Sequence, residues 1–148
     1  MWPLPVLSLG ACAAVAPTGP EYDFAYRATR GPVQLYWNCG HPEPGLLQVE
    51  GVAISPYYSS PVQDLELRLA GVDARGPNVS RAQGAARDHL IPMMAQSPFR
   101  LSLRTAGTEV RFDLAFSYLL QEGGGMAGNG QPLEHSYVAK DVCPGEKR

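Results

Sequence analysis

The residues best suited to covalent chemistry are two cysteines that lie far apart in the chain. Cys39 falls in YWNCGHPEPG and Cys143 in DVCPG, so each precedes glycine or proline at the end of a predicted strand. A disulfide between them would close a loop of 143 − 39 = 104 positions, and loops of that size give about 4–5 kcal/mol in the chain-entropy treatment. Such a bond implies an exported protein. The alternatives are two unrelated structural thiols, or a zinc site with His41, whose spacing is unlike that of zinc fingers.

Acid–base chemistry is poorly supported, although each histidine has a carboxylate nearby in sequence. The three pairs are His41 with Glu43, His89 with Asp88, and His135 with Glu134. Adjacent residues of a strand point to opposite faces, so the last two pairs are poorly placed to exchange a proton. The sequence contains no nucleophile elbow or metal-ligand cluster, and the glycine-rich segment 121–132 lacks the Lys-Ser/Thr of a phosphate-binding loop. We therefore predict no catalytic residue, metal or cofactor, and no enzymatic activity.

The composition of the chain predicts a single globular domain that is rich in turns. The chain has 148 residues, 16 of them glycine and 14 proline, with 45% hydrophobic residues. A chain of this length buries roughly 70% of its unfolded surface. The net charge is −2 and no basic stripe is present. Nucleic acid is therefore not an expected partner, because phosphate binding needs clustered lysine and arginine.

The third cysteine, Cys12, follows a short apolar segment in which no acidic or basic residue precedes Glu21. The order Leu9-Gly10-Ala11-Cys12 resembles a bacterial lipobox, the cleavage site of a lipoprotein signal peptide. The resemblance implies cleavage before Cys12, a diacylglycerol on its thiol, and residues 1–20 acting as signal peptide and tether. The alternative is a disordered tail with an unrelated cysteine. The segment is too short to span a bilayer, which takes ~20 apolar residues.

The element that organises the rest of the chain is the alternating segment from Thr108 to Leu120. Every second residue is apolar, which predicts a central antiparallel strand with one buried face. The residues predicted to point inward are Val110, Phe112, Leu114, Phe116, Tyr118 and Leu120.

Further short alternating segments fill residues 21–148, which we predict to be one domain. They are 33–37, 46–55, 62–73, 98–104 and 134–142, with 89–94 as an edge strand at best. Residues 79–87 fit either a strand or a helical turn, and HPEPG at 41–45 predicts a turn. Strand 98–104 is expected to form a hairpin with the central strand. Turns between short strands indicate an all-β antiparallel sandwich with about seven strands.

The order of these segments from Leu46 to Tyr118 resembles FxLyD-type domains, which are immunoglobulin-like β-sandwiches of envelope proteins. The matching motifs are 49–51, 62–69, the turn 72–76 where the family has "yDxxG", and Leu90-Ile91-Pro92 followed by Pro98-Phe99. About half of the chain is covered. The resemblance implies an immunoglobulin-like fold and a location in the cell envelope, and it carries no catalytic residues.

Together these features predict a lipid-anchored, non-enzymatic protein on the periplasmic face of a bacterial membrane. It would be held by a lipid on Cys12 and would act as an interaction or structural module for another envelope protein. Edge strands and end loops are the expected contact surfaces, including Tyr57 and Tyr58 in the loop 56–61. The alternative is an exported ligand-binding protein or hydrolase with a pocket formed by loops at one end of the sandwich.

Overall fold

A computed structural model describes residues 19, 23–55, 61–120 and 132–144. Nine strands run through these residues, and all of their pairings are antiparallel. Their bounds are β1 Tyr26–Arg30, β2 Val33–Glu43, β3 Leu46–Ile54, β4 Val62–Asp73, β5 Asn78–Ala85, β6 Leu90–Ile91, β7 Gln96–Arg104, β8 Glu109–Leu120 and β9 Leu133–Ala139.

The strands form two sheets that pack face to face. The first sheet has the order β1-β2-β3-β7, and the second has the order β5-β4-β8-β9 with β6 paired to the start of β4. The predicted antiparallel β-sandwich is therefore confirmed, with nine strands instead of about seven. Two of the additional strands are β1, in a segment of mixed aromatics and charges, and β5, which resolves the ambiguous segment as a strand.

Alternation along the strands builds the core as predicted. In β8 the side chains of Phe112, Leu114, Phe116, Tyr118 and Leu120 are buried. The facing strands contribute Leu47 and Val49 from β3, Leu67 and Leu69 from β4, and Leu101 and Leu103 from β7. Two-residue periodicity thus correctly identified the inner face of each of these strands.

Two bulges modify the alternation. Asp64 has a φ of 50°, and the β4–β8 register shifts between Gln63 and Glu66, so that both Val62 and Leu65 face the core. A second shift pairs Val72 with Arg111 but Asp73 with Glu109. Val110 is the extra residue between them and is 59% exposed, so the prediction that it points inward was wrong.

The predicted hairpin between strand 98–104 and the central strand was also wrong. β7 pairs with β3 in the first sheet, whereas β8 pairs with β4 and β9 in the second. The connection through Ala106 and Gly107 therefore crosses from one sheet to the other. Alternation gives the same pattern for paired strands and for strands that face each other across the core, so it does not distinguish the two arrangements.

The strand β2 runs to Glu43, with a register shift against β3 between Gly40 and Glu43. The predicted turn at 41–45 therefore shrinks to Pro44-Gly45. Next to β2, Gly51 allows a close approach between neighbouring strands. A Cβ atom there would collide with the Tyr36 carbonyl oxygen and lie 2.9 Å from both the Phe99 ring and the Trp37 Cα. Glycine therefore lets two large aromatic residues pack across β3.

No helix among the described residues combines the length and apolar character needed to cross a membrane.

Candidate interaction surface

The three histidines lie in separate environments. His41 is exposed on β2, the His89 Nδ1 atom lies 3.4 Å from the Asp64 carboxylate at the surface, and the His135 ring stacks on Tyr118 with centroids 5.6 Å apart. Over the part of the chain that the structure describes, no group of three His, Cys, Asp or Glu residues is arranged to hold a metal ion. Zinc binding by Cys39 with His41 is excluded because the cysteine is in a disulfide.

One serine–carboxylate pair resembles a catalytic pair but has a structural geometry. The Ser97 hydroxyl donates to Asp88 Oδ2 at 2.7 Å, and the Asp88 backbone N–H donates back to Ser97 Oγ at 3.0 Å. The hydrogen bond from Ser97, with help from Arg87, lowers the pKa of Asp88 below its ordinary value. A weakly basic carboxylate does not activate a hydroxyl, and Ser97 is fully buried. The pair joins the β5–β6 connection to β7.

The predicted disulfide between Cys39 and Cys143 is present, with the two Cα atoms 5.8 Å apart. It joins β2 of the first sheet to the segment after β9 of the second. The adjacent Val142 is buried and reinforces the link, because its carbonyl accepts from Trp37 Nε1 at 2.9 Å and its N–H donates to the Phe112 carbonyl at 2.8 Å. The chain after β9 is thus fixed covalently and by hydrogen bonds.

The edges of the two sheets meet at two corners, of which one is closed. We call the meeting of β5 with β7 the closed corner. The Arg87 N–H donates to the Pro98 carbonyl at 2.9 Å, so a main-chain hydrogen bond bridges the sheets. A Cβ atom on Gly84 would lie 2.7 Å from the Leu101 side chain and 3.3 Å from the Arg100 carbonyl oxygen. Neither edge has room for a further strand here.

The other corner, where β1 approaches β9, is the open corner. The two-residue β1–β2 turn brings Gly31, with a φ of +64°, against the Tyr137 and Tyr118 hydroxyl groups. Only side chains and the nearby disulfide join the sheets at this corner in the described structure. Among the described strands, β1 pairs only with β2 and β9 pairs only with β8. The other side of each of these two strands has no described strand beside it.

The hydrogen bonds of β8 determine which β9 groups face away from the sheet. The Phe112 carbonyl accepts from beyond the end of β9, so Leu114 and Phe116 direct their main-chain groups toward β9 as well. Their register partners are Ala139 and Tyr137. The intervening residues direct their N–H and C=O groups outward; these residues are Glu134, Ser136 and Val138. We call this outward side of the strand β9 the β9 edge.

The β9 edge is exposed and partly apolar. Leu133 is 52% and Val138 53% exposed. Val138 also lines a shallow depression of about 780 Å³ on the outer face of the second sheet, next to Ala115, Arg68 and Arg81. An extended strand with exposed apolar side chains and outward main-chain groups is a surface that binds another strand.

The segment before β1 lies on the outer face of the first sheet. The Asn38 Oδ1 atom accepts from the Ala25 N–H at 2.7 Å, and its Nδ2 donates to the Asp23 carbonyl at 3.0 Å. Phe24 between them lines a depression with Val52 and Pro98. The chain therefore joins the domain across this face, away from the β9 edge.

Several predicted site residues fall outside the described residues: Cys12, Tyr57 and Tyr58. Most of the glycine-rich end loop also falls outside, so the proposed loop pocket stays a prediction. Sequence reasoning identified the last strand but not that its edge is open. The missing information was the strand order, since alternation of His135 and Tyr137 with Glu134 and Ser136 says nothing about neighbours.

Comparison with known proteins shows similarity at the level of the fold. No protein-family model matches the chain, and no curated protein sequence matches it. Among solved structures, the GAE domain of GGA2p from Saccharomyces cerevisiae is similar, with a TM-score of 0.53 and 12% sequence identity. The alignment covers 82% of this chain and 97% of that one. The neighbour is an immunoglobulin-like β-sandwich, which agrees with the sandwich described above.

Proposed function

We propose that this protein is a lipid-anchored, non-enzymatic module of the bacterial cell envelope that acts by binding another protein through an open sheet edge. The lipobox resemblance at Cys12 supports the anchor. The Cys39–Cys143 disulfide supports export, because structural disulfides persist in oxidising compartments such as the periplasm. The β9 edge carries the proposal of binding, since β-strand addition uses outward main-chain groups of this kind.

The location is tested by metabolic labelling of the full chain in a bacterial host with an alkyne-tagged palmitate. We expect the wild-type chain to take up the label and to fractionate with membranes. Cys12→Ser should abolish both, whereas Cys39→Ser, which removes a cysteine of the disulfide, should keep the label. A wild-type chain that takes up no label contradicts the lipid anchor.

The mode of action is tested by affinity capture of the lipidated chain from solubilised membranes, alongside a screen of generic esterase and glycosidase substrates. We expect a protein to be captured and no substrate to be turned over. Turnover of any substrate by purified protein, at a rate lost on unfolding, would instead favour the exported hydrolase.

A further inference from the structure

Among the described strands, three of the four sheet edges are protected against adding a strand. The β5 and β7 edges meet at the closed corner, where the Arg87 N–H already bonds the Pro98 carbonyl. The β1 edge is only five residues long, and short edge strands resist pairing. The β9 edge is seven residues long, contains no proline and exposes Val138. It is therefore the edge at which a strand is accepted.

The chemistry of β9 restricts which strand fits. An incoming antiparallel strand must bond to the outward groups of Glu134, Ser136 and Val138, and its side chains must suit the outer face of the second sheet. Just beyond the strand lies the exposed Lys140, on the same face as Glu134. Neither of these two charges has an ion-pair partner within the described residues. The edge thus carries a negative charge at one end and a positive charge at the other.

A strand with this charge order is complementary to its own antiparallel copy. In an antiparallel pairing centred on Tyr137, Glu134 of each copy lies opposite Lys140 of the other. Ser136 of each copy likewise lies opposite Val138 of the other. Pairing about Ser136 would instead set Glu134 against Val138. Pairing about His135 would set Val138 against Pro132, which has no N–H to donate. The register centred on Tyr137 alone of these three matches opposite charges without losing a donor.

We propose that two copies of this chain associate through their β9 edges in the register centred on Tyr137. The two second sheets then form one continuous antiparallel sheet, and the contact is two-fold symmetric, as is usual for dimers of identical chains. This inference rests on the proposed function in assigning protein binding to the β9 edge, and it names the partner as a second copy.

Cysteine cross-linking of the full chain in host membranes tests the register. Ser136→Cys with Val138→Cys places thiols opposite each other on paired strands, where Cα atoms are about 5.5 Å apart and a disulfide forms readily. We expect a cross-linked homodimer on a non-reducing gel. The matched control is Arg27→Cys with Thr29→Cys on the β1 edge, which should give none. Equal dimer from both pairs, or none from the β9 pair, overturns the proposal.

Charge reversal tests the complementarity in that same cross-linking background. Opposite charges across strands attract and like charges repel, and each change acts at two symmetric positions. We expect Glu134→Lys or Lys140→Glu alone to lower the dimer yield roughly ten-fold, and both together to restore it to within about three-fold of the parent. Single reversals without effect, or a double reversal without rescue, contradict the Tyr137 register.

A backbone substitution separates dimer formation from folding. The Ser136 N–H points outward, so Ser136→Pro removes a donor that the β8–β9 ladder does not use. We expect the purified chain to sediment as a monomer while keeping its thermal midpoint, whereas Thr29→Pro, the equivalent position on β1, stays dimeric. If β9 cross-links to a different envelope protein, the assignment of a second copy as the partner is wrong, whereas the proposed function stands. A wild-type chain that takes up no palmitate would instead remove the proposed function.

Discussion

The two corners of this sandwich join the same two sheets by different means. At the closed corner, main-chain atoms meet directly: the Arg87 N–H bonds the Pro98 carbonyl, and Gly84 lets β5 pass against Leu101. At the open corner, no main-chain hydrogen bond between described residues joins β1 to β9. The link there is supplied by Gly31 against two tyrosine hydroxyl groups and by the disulfide of Cys39 with Cys143.

The difference explains why the covalent bond lies where it does. Strand edges that bond to each other are satisfied but no longer accept a partner. Edges that remain accessible contribute no hydrogen bonds between the sheets, so another interaction must hold the layers together. In this protein the disulfide and the buried Val142 provide it, which allows one side of the sandwich to be stable and still open to binding.

Removal of the disulfide should have the largest effect and should act on the open corner. Cys39→Ala with Cys143→Ala is expected to lower the free energy of unfolding by about 4 kcal/mol, because the bond closes a loop of about a hundred residues. Urea unfolding of oxidised wild type and variant measures the loss. Hydrogen exchange should show β9 opening first. Preferential opening of β5 and β7 would contradict the assignment of the bond to the open corner.

A smaller effect is expected from filling space at the closed corner. Gly84→Val introduces a Cβ only 2.7 Å from the Leu101 side chain and adds two methyl groups. Overpacking of this kind costs about 2 kcal/mol. The control is Ser136→Val on the β9 edge, which should change the free energy of unfolding, measured in urea, by less than about 0.5 kcal/mol. Equal effects at both positions would show that the corners do not differ in packing.

The smallest effect concerns Glu109, which ties the β7–β8 crossing to β5. Burial alone would raise its pKa, but hydrogen bonds from the backbone of Ala106 and of Glu109 itself, from the Ser80 hydroxyl and from Gly107 outweigh burial and lower it below 4.5. Because the folded-state pKa is depressed, this stabilisation is complete above pH about 4.5 and is lost as the pH falls through the folded pKa.

Glu109→Gln should accordingly destabilise the protein by less than about 1 kcal/mol at pH 7, since solvent still screens a group that is only partly buried. The gap between wild type and variant should narrow as the pH falls from 5 to 3, as measured by thermal midpoints. Glu66→Gln is the control, because Glu66 is an exposed β4 residue whose Oε2 atom lies 3.9 Å from Nη2 of Arg68, so the ion pair is weak. A gap that widens in acid would show that the Glu109 carboxylate is not stabilised by these donors.

Sequence reasoning predicted the inner faces of the strands because burial imposes a two-residue period on each of them. It also predicted the disulfide, because both cysteines lie at the ends of predicted strands. It failed for Val110, since a bulge shifts the register by one residue and reverses the face. Bulges depend on pairing with a neighbour, and no local pattern in EVRF reveals that pairing.

The site was less predictable than the core for the same reason. Whether a strand such as β9 is an edge depends on the order of strands in the sheet, which is set by crossings between the two layers. The expectation that β7 and β8 form a hairpin missed one such crossing, at Ala106 and Gly107. The outward groups of Glu134, Ser136 and Val138 follow only once the order and the register are known.

The hydrogen bonds of Asn38 with the backbone of Asp23 and Ala25 determine where a lipid tether would reach the domain. Under the proposed anchor, eleven residue steps separate Cys12 from Asp23, a reach of at most roughly 40 Å. Residues 23–25, where such a tether would end, lie on the outer surface of the first sheet. The β9 strand belongs to the opposite layer, so a lipid tether would leave its edge free of the point at which the chain enters the domain.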